Sequence, residues 1–185
     1  MILVVAATEL EGALVDGAGG ARVVVCGIGP VEAAVATGRA IAEHAPSAVL
    51  QIGVAGAQSL PNGALAVGAE SVYCDVVDPA SRIPRVWRLE PDPRLLAAAR
   101  RALPDAHVVP IATAGRVGGG TSCEVEAMEG FGALRAAQLA GVPALEVRAI
   151  SNAVTEPDRA RWDVAGALDA LRAALPPLLA ELARA

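Results

Sequence analysis

Short aliphatic runs alternate along this chain with alanine-rich stretches of helical spacing, and this alternation constrains its fold more than any other feature. The aliphatic runs predict six strands, over residues 2–6, 22–26, 49–52, 64–75, 107–111 and 144–150. The alanine-rich stretches predict four helices, over residues 30–44, 93–103, 125–140 and 163–185. Such alternation is typical of an α/β layer architecture, and 185 residues suit one domain over residues 1–185.

Two segments depart from this regular pattern. Pro176 and Pro177 lie inside the last predicted helix, where they are expected to kink or split it. Residues 77–93 are rich in proline and arginine and show no clear period, so they are predicted to form a long loop.

The charge distribution argues against a nucleic-acid partner. The net charge is −5, and all fifteen basic residues are arginines spread along the chain without a basic block. The uncharged stretch over residues 45–69 is interrupted by proline, glycine and polar residues, so no membrane segment is predicted.

The cysteines favour a reducing compartment. Cys26, Cys74 and Cys123 are an odd number of widely spaced thiols, with no Cys-x-x-Cys pair and no nearby pair of histidines. We therefore expect reduced thiols in a cytoplasmic protein, and no metal site. The apolar residues 1–7 lack a basic leader and are interpreted as a first strand rather than a signal peptide.

Two glycine-containing turns follow predicted strands, at the edge where open α/β sheets hold their ligands. Residues 27–30, with the sequence Gly-Ile-Gly-Pro, either present backbone amides to a ligand or form only a tight strand-to-helix turn. Residues 51–57 contain Gly53, and their small side chains leave room either for a ligand or for close packing.

Several carboxylates are candidates for chemistry. Glu9 and Glu11 follow the first strand, and sequence spacing does not choose between them. Glu129 lies among apolar residues, where a carboxylate is costly unless something binds it. Glu146 and Arg148 share one face of a predicted buried strand, and they either neutralise each other or serve a functional site.

Taken in order, these segments resemble the nucleoside phosphorylase and nucleosidase superfamily over nearly the whole chain. The resemblance is carried by five segments: residues 6–11, 26–29, 52–56, 127–129 and 147–152. It implies a three-layer αβα sandwich with a mixed central sheet, a nucleoside substrate, no cofactor, and a homo-oligomer.

The resemblance also implies roles for individual residues. Glu11 would be the base that activates the attacking water, and Arg148 would orient Glu11 or that water. Asn152 would hydrogen-bond the purine at N7 and O6, and it completes the catalytic set.

The same resemblance identifies the residues that would bind the substrate. Glu129 would bind the 2′ and 3′ hydroxyls of the ribose, and Met128 would pack against the sugar. Gly53 and Ile28, from the two glycine-containing turns, are further candidates for substrate binding. Residues 77–93 are the candidate for the 5′ side of the substrate.

Within the superfamily, residues 146–152 and 157–162 look most like the futalosine hydrolases, which release hypoxanthine on a route to menaquinone. An asparagine at position 152 favours a 6-oxopurine, because its amide both donates and accepts hydrogen bonds. The alternatives are a methylthioadenosine or adenosylhomocysteine nucleosidase, a purine nucleoside phosphorylase, and a nucleoside-binding or storage protein without turnover.

Overall fold

The computed structural model describes residues 1–15, 20–77, 80, 82–118 and 121–185. Its eight strands are β1 (Ile2–Ala6), β2 (Ala21–Val25), β3 (Ala48–Ala57), β4 (Leu65–Tyr73), β5 (Arg88–Leu89), β6 (His107–Thr113), β7 (Val125–Ala127) and β8 (Ala144–Ala153). Its five α-helices are α1 (Glu9–Gly12), α2 (Pro30–His44), α3 (Pro93–Ala102), α4 (Gly130–Leu139) and α5 (Val164–Leu182). Two short 3₁₀ helices span Ala13–Val15 and Arg159–Arg161.

All eight strands belong to one mixed sheet. β1 lies between β2 and β3 and is parallel to both. β8 is parallel to β3 and antiparallel to β4, β4 and β6 are parallel, and β7 joins β6 back to the end of β3. Strands β3, β8, β4, β6 and β7 therefore close into a ring, which is filled by small and branched side chains such as Ala55, Ile111 and Ile150.

Helices cover both faces of the sheet, which confirms the predicted three-layer architecture. Ile2 and Val4 of β1 point into a core shared with α3 and α5, whereas Leu3 and Val5 point into a core shared with α2 and α4. Successive side chains of a strand alternate between faces, so a strand that is apolar throughout must be covered on both sides. In the part of the chain that the structure describes, no helix is both long and apolar enough to cross a bilayer.

The last helix is continuous through Pro176 and Pro177, so of the two predicted outcomes, a kink or a split, the split does not occur. Both prolines are exposed, while Leu175 and Leu178 beside them are buried. The carbonyl groups that lose their helical donors, those of Arg172 and residue 173, therefore belong to exposed residues, where water can replace the missing N–H groups.

Two further predictions were wrong in extent. The helix predicted over residues 125–140 begins only at Gly130, because residues 125–127 pair with β3 and β6 as strand β7. The strand predicted over residues 49–52 continues to Ala57, since β8 and β7 supply backbone partners for its small residues. Both changes bring residues 126–129 and 54–56 to one cavity.

Candidate active site

A cavity of about 300 Å³ opens where β1, β3 and β8 end. Its wall includes five of the seven residues that the sequence predicts for the site: Glu11, Ile28, Met128, Glu129 and Asn152. The other two, Gly53 and Arg148, are buried and lie behind the wall rather than in it.

Glu11 is held by the first turn of α1. The sequence Thr-Glu-Leu-Glu over residues 8–11 forms a capping box, in which the Thr8 amide and hydroxyl donate to Glu11 Oε2 at 2.9 and 2.8 Å. The Val54 amide of β3 donates to Glu11 Oε1 at 3.0 Å. Glu11 is 5% exposed, whereas Glu9 is exposed, so the structure brings only Glu11 of the two to the cavity wall.

Gly53 provides the space in which Glu11 and Arg148 approach each other. A Cβ atom at position 53 would overlap Arg148 Nη1 and would lie 2.8 Å from Glu11 Oε1. Gly53 therefore acts through these two side chains in the structure, and direct contact of Gly53 with a substrate stays a prediction.

Arg148 links two carboxylates beneath the cavity. Its Nε donates to Glu146 Oε1 at 2.9 Å, and its Nη1 donates to Glu129 Oε2 at 3.2 Å. Both ion pairs are buried, with side-chain exposures of 6% or less. The guanidinium thus orients Glu129 directly, and Glu11 lies on the other side of the space left by Gly53.

The pKa values of this network reflect burial of three carboxylates around one guanidinium. Burial raises the pKa of Glu146, and this effect outweighs the attraction of Arg148, which lowers it. Burial by itself would lower the pKa of Arg148, but Glu146, Glu129 and Glu11 together hold that pKa above its usual value. Arg148 therefore stays charged. We call Glu11, Glu129, Glu146 and Arg148 the floor of the cavity.

The turn after β2 contributes a backbone amide to this floor. Gly29 has a φ of 104°, a conformation that glycine adopts readily, and its amide donates to Glu129 Oε1 at 3.2 Å. The predicted amide donor at this turn thus binds a carboxylate of the protein. Ile28, between the two glycines, is 62% exposed and lies at the cavity mouth.

Cys26 lies close enough to the floor to be influenced by its charges. Burial, with a smaller contribution from Glu129, raises the pKa of the Cys26 thiol to about 11. The thiol is therefore neutral at pH 7 and is a poor nucleophile. Cys26, Cys74 and Cys123 are all unpaired, as the sequence predicts.

Asn152 lies at the end of β8 with a defined amide orientation. Its Nδ2 donates to the Ala153 carbonyl at 2.9 Å, and its Oδ1 accepts from the Ser151 hydroxyl at 2.8 Å. A carbonyl oxygen only accepts, so the nitrogen must be the atom that faces Ala153. One N–H of the amide and one lone pair of its oxygen remain for a ligand.

The mouth of the cavity is formed by exposed or half-buried residues that the sequence analysis did not select as site residues. We call Arg116, Val117, Gly118, Arg159 and Trp162 the rim. Trp162 Nε1 donates to the Glu156 carbonyl at 3.1 Å, and the Arg159 guanidinium lies 5.5 Å from the centre of the Trp162 ring. The motif over residues 157–162 is the sequence feature from which Arg159 and Trp162 could have been predicted at the rim.

Residues 77–93 were predicted to lie on the 5′ side of the substrate, but they do not contribute to the rim as defined here. No residue of that segment, among those that the structure describes, lines the cavity. Instead, Arg88 and Leu89 form strand β5 on the outer edge of β4. Pairing at the sheet edge therefore directs this segment away from the cavity mouth.

Comparison with known proteins identifies the family of the chain. The model of the Phosphorylase superfamily matches residues 10–183. A futalosine hydrolase from Streptomyces coelicolor is 55% identical over 53 residues, which are 29% of this chain and 23% of that protein. The predicted resemblance to the superfamily and to futalosine hydrolases is confirmed.

Solved structures show the same fold over nearly the whole chain. A mutant futalosine hydrolase of Helicobacter pylori superimposes with a TM-score of 0.88 and 20% identity, covering 97% of this chain and 98% of that one. An S-adenosylhomocysteine nucleosidase of Streptococcus pyogenes has a TM-score of 0.86 and 22% identity, with coverage of 96% and 95%. These relatives carry the names of a hydrolase and a nucleosidase, which is the predicted enzyme class. Because the family model covers almost all of the sequence, the chain belongs to the Phosphorylase superfamily.

Proposed function

We propose that this protein hydrolyses the N-glycosidic bond of a purine nucleoside, with futalosine as its substrate and hypoxanthine as the released base, in menaquinone biosynthesis. The observation that carries the proposal is the convergence of Glu11, Glu129 and Asn152 on one cavity above the buried Arg148. The 55% identity with a futalosine hydrolase over 53 residues supports the choice of substrate.

Glu11 is proposed as the base that activates water. Oε2 accepts hydrogen bonds from the Thr8 amide and hydroxyl, and Oε1 accepts one from the Val54 amide, so the carboxylate is fixed while Oε1 keeps a lone pair. A water molecule in the cavity can donate to Oε1 and attack the anomeric carbon as it loses its proton. A base positioned in this way typically contributes about 10²- to 10⁴-fold to the rate.

Glu129 is proposed to bind the sugar. Its Oε1 accepts from Gly29 and its Oε2 from Arg148, so each oxygen keeps a lone pair for one of the 2′ and 3′ hydroxyls. Met128 lies beside it in the cavity wall, where a flexible apolar side chain can pack against the ribose. The negative charge of Glu129 also favours the positive charge that develops on the sugar as the bond breaks.

Asn152 is proposed to hold the purine. Its free N–H can donate to N7 or O6 of a 6-oxopurine and thereby stabilise the departing base. A carboxylate at this position would meet the lone pairs of O6, whereas an amide donates to them. This pairing favours hypoxanthine over adenine as the leaving base.

A methylthioadenosine or adenosylhomocysteine nucleosidase is the second candidate. It is favoured by the S-adenosylhomocysteine nucleosidase of S. pyogenes, whose TM-score of 0.86 is close to that of the futalosine hydrolase. The two candidates differ in the released base, which is adenine in one case and hypoxanthine in the other.

Incubation with futalosine, inosine and methylthioadenosine, each with and without phosphate, tests the proposal. We expect hypoxanthine from futalosine at a rate that does not depend on phosphate. Adenine release from methylthioadenosine with futalosine untouched would favour the second candidate, and strictly phosphate-dependent cleavage would identify a phosphorylase. Tight binding of futalosine without release of any base would indicate a nucleoside-binding protein.

We further propose that the protein is a cytoplasmic homo-oligomer. The three unpaired cysteines suit a reducing compartment. Ile28 lies at the cavity mouth just before α2, and Val31 and Val35 follow on one face of that helix. These three apolar side chains are 62%, 69% and 67% exposed. A second copy that covers this face would increase the molecular mass measured by light scattering to a multiple of 18.6 kDa.

A further inference from the structure

Glu146 is a buried carboxylate that the proposed mechanism leaves without a task. Its side chain is fully buried on β8, and it does not contribute to the cavity wall. Glu146 Oε1 accepts from Arg148 Nε, whereas Oε2 has no hydrogen bond of ordinary geometry to any residue that the structure describes, although the nearby Ser71 hydroxyl lowers the pKa of this carboxyl. A carboxylate held in this way is costly, so its presence calls for a physical explanation.

One glycine makes room for this carboxylate. A Cβ atom at Gly130, the first residue of α4, would overlap both carboxylate oxygens of Glu146. The start of α4 is therefore shaped around Glu146.

The positive charge of Arg148 gives the Glu146 carboxylate a possible function. The guanidinium is needed beneath the cavity, because it orients Glu129 through a hydrogen bond of 3.2 Å. During cleavage of the glycosidic bond the sugar above it becomes positively charged, and an unbalanced guanidinium would oppose that charge. A carboxylate that pairs with a different nitrogen of the guanidinium removes this opposition while leaving the hydrogen bond to Glu129 in place.

We propose that Glu146 is a positioning residue that fixes Arg148 through Nε and neutralises it, so that Glu11 and Glu129 can stabilise the developing sugar cation. This inference rests on the proposed cleavage of a nucleoside. The floor has three carboxylates around one guanidinium. Its surplus negative charge then stabilises the transition state rather than the folded protein.

Burial of Glu146 agrees with a functional rather than a stabilising role. Burial raises its pKa above the usual value, so the ionised form is less favourable in the folded protein than in the unfolded chain. Above the usual pKa of glutamate, this shift lowers the free energy of unfolding. A glutamine at this position would remove that penalty, retain an oxygen that accepts from Arg148 Nε, and place its amide near the buried Ser71 hydroxyl, which influences Glu146.

The test compares Glu146→Gln, which keeps the shape and removes the charge, with Glu146→Asp, which keeps the charge and shortens the side chain. With futalosine we expect kcat of Glu146→Gln to fall about 10- to 100-fold with KM changed less than threefold, because the ground-state nucleoside is neutral at the sugar. We expect Glu146→Asp to keep a higher kcat than Glu146→Gln. Glu181→Gln, the same change in an exposed pair with Arg101, is the control for loss of a carboxylate.

A further measurement separates this role from a structural one. We expect the melting temperature of Glu146→Gln to equal or exceed that of the wild type, because the variant no longer buries an ionised carboxylate.

Each outcome decides the inference. A kcat for Glu146→Gln within twofold of the wild type, or a kcat for Glu146→Asp below that of Glu146→Gln, would show that the charge of Glu146 is not used, even if futalosine is cleaved. A wild-type protein that cleaves none of the three nucleosides would overturn the proposed function and this inference together.

Discussion

The floor side chains are buried and held by hydrogen bonds, whereas the rim residues around the mouth are exposed or half-buried. Glu129 and Arg148 are 4% and 0% exposed, while Val117 at the rim is 48% exposed. Groups that act on charge are most effective where water is excluded and their positions are fixed in advance. Groups that bind a variable part of a substrate tolerate exposure and adjustment.

The difference in burial between floor and rim predicts different kinetic effects for substitutions in the two regions. A change in the floor should lower kcat by a large factor, because it removes a charge or hydrogen bond that acts on the reacting sugar. A change in the rim should raise KM by a small factor, because exposed contacts are screened by solvent and act mainly in binding. A substitution of Asn152, which lies in the cavity wall, should change which base is released.

Glu11→Gln should have the largest effect. The amide cannot accept the proton of the attacking water, so we expect kcat for futalosine to fall about 10²- to 10⁴-fold. Binding should persist, because Gly29, Glu129 and Asn152 are unchanged. Chromatography of the released base gives the rate, and calorimetry with futalosine gives the affinity.

Glu9→Gln is the matched control for Glu11→Gln, since Glu9 lies in the same helical turn but is exposed. It should change kcat less than twofold. If Glu9→Gln were the slower of the two variants, the contrast between buried and exposed acids at this site would be wrong.

Asn152→Asp should change the selectivity rather than abolish turnover. An aspartic acid at this position can give its single proton to N7 of adenine and accept from the 6-amino group, whereas the Asn152 amide has no acidic proton. We expect the ratio of rates on inosine and on adenosine to fall about 10²-fold. Asn62→Asp is the control, because Asn62 is exposed and outside the cavity wall. An unchanged ratio would show that Asn152 does not read the base.

The sequence was sufficient to single out three members of the floor but not the way in which they connect. Glu11, Glu129 and Arg148 occur in ordered segments that resemble a known superfamily, and that resemblance selected Glu11 over Glu9. Spacing alone left the role of Glu146 open. The hydrogen bond from Arg148 to Glu129 depends on how the middle of β8 lies against the start of α4, which local patterns do not specify.

The fold was predictable where a periodic pattern was long. The core strand β1 and helix α2 were predicted with their observed bounds, because each buries a continuous apolar pattern. β7 has only three residues, too few for a period, and its pairing with β3 and β6 overrode the helical pattern that follows it. Arg116 at the rim lies in an irregular glycine-rich segment that offers no pattern at all.

Arg159→Ala should have the smallest effect and tests the rim. Arg159 is exposed and stacks over Trp162 beside the cavity mouth, so its loss should raise KM for futalosine about three- to tenfold and leave kcat within twofold. We propose that the rim contacts the 5′ substituent of futalosine, so KM for inosine, which lacks that substituent, should change less. Arg161→Ala is the control, since Arg161 is equally exposed but pairs with Glu156 and Asp158 outside the cavity wall. A fall in kcat for Arg159→Ala with KM unchanged would mean that the rim takes part in the chemical step, and the division between floor and rim would not hold.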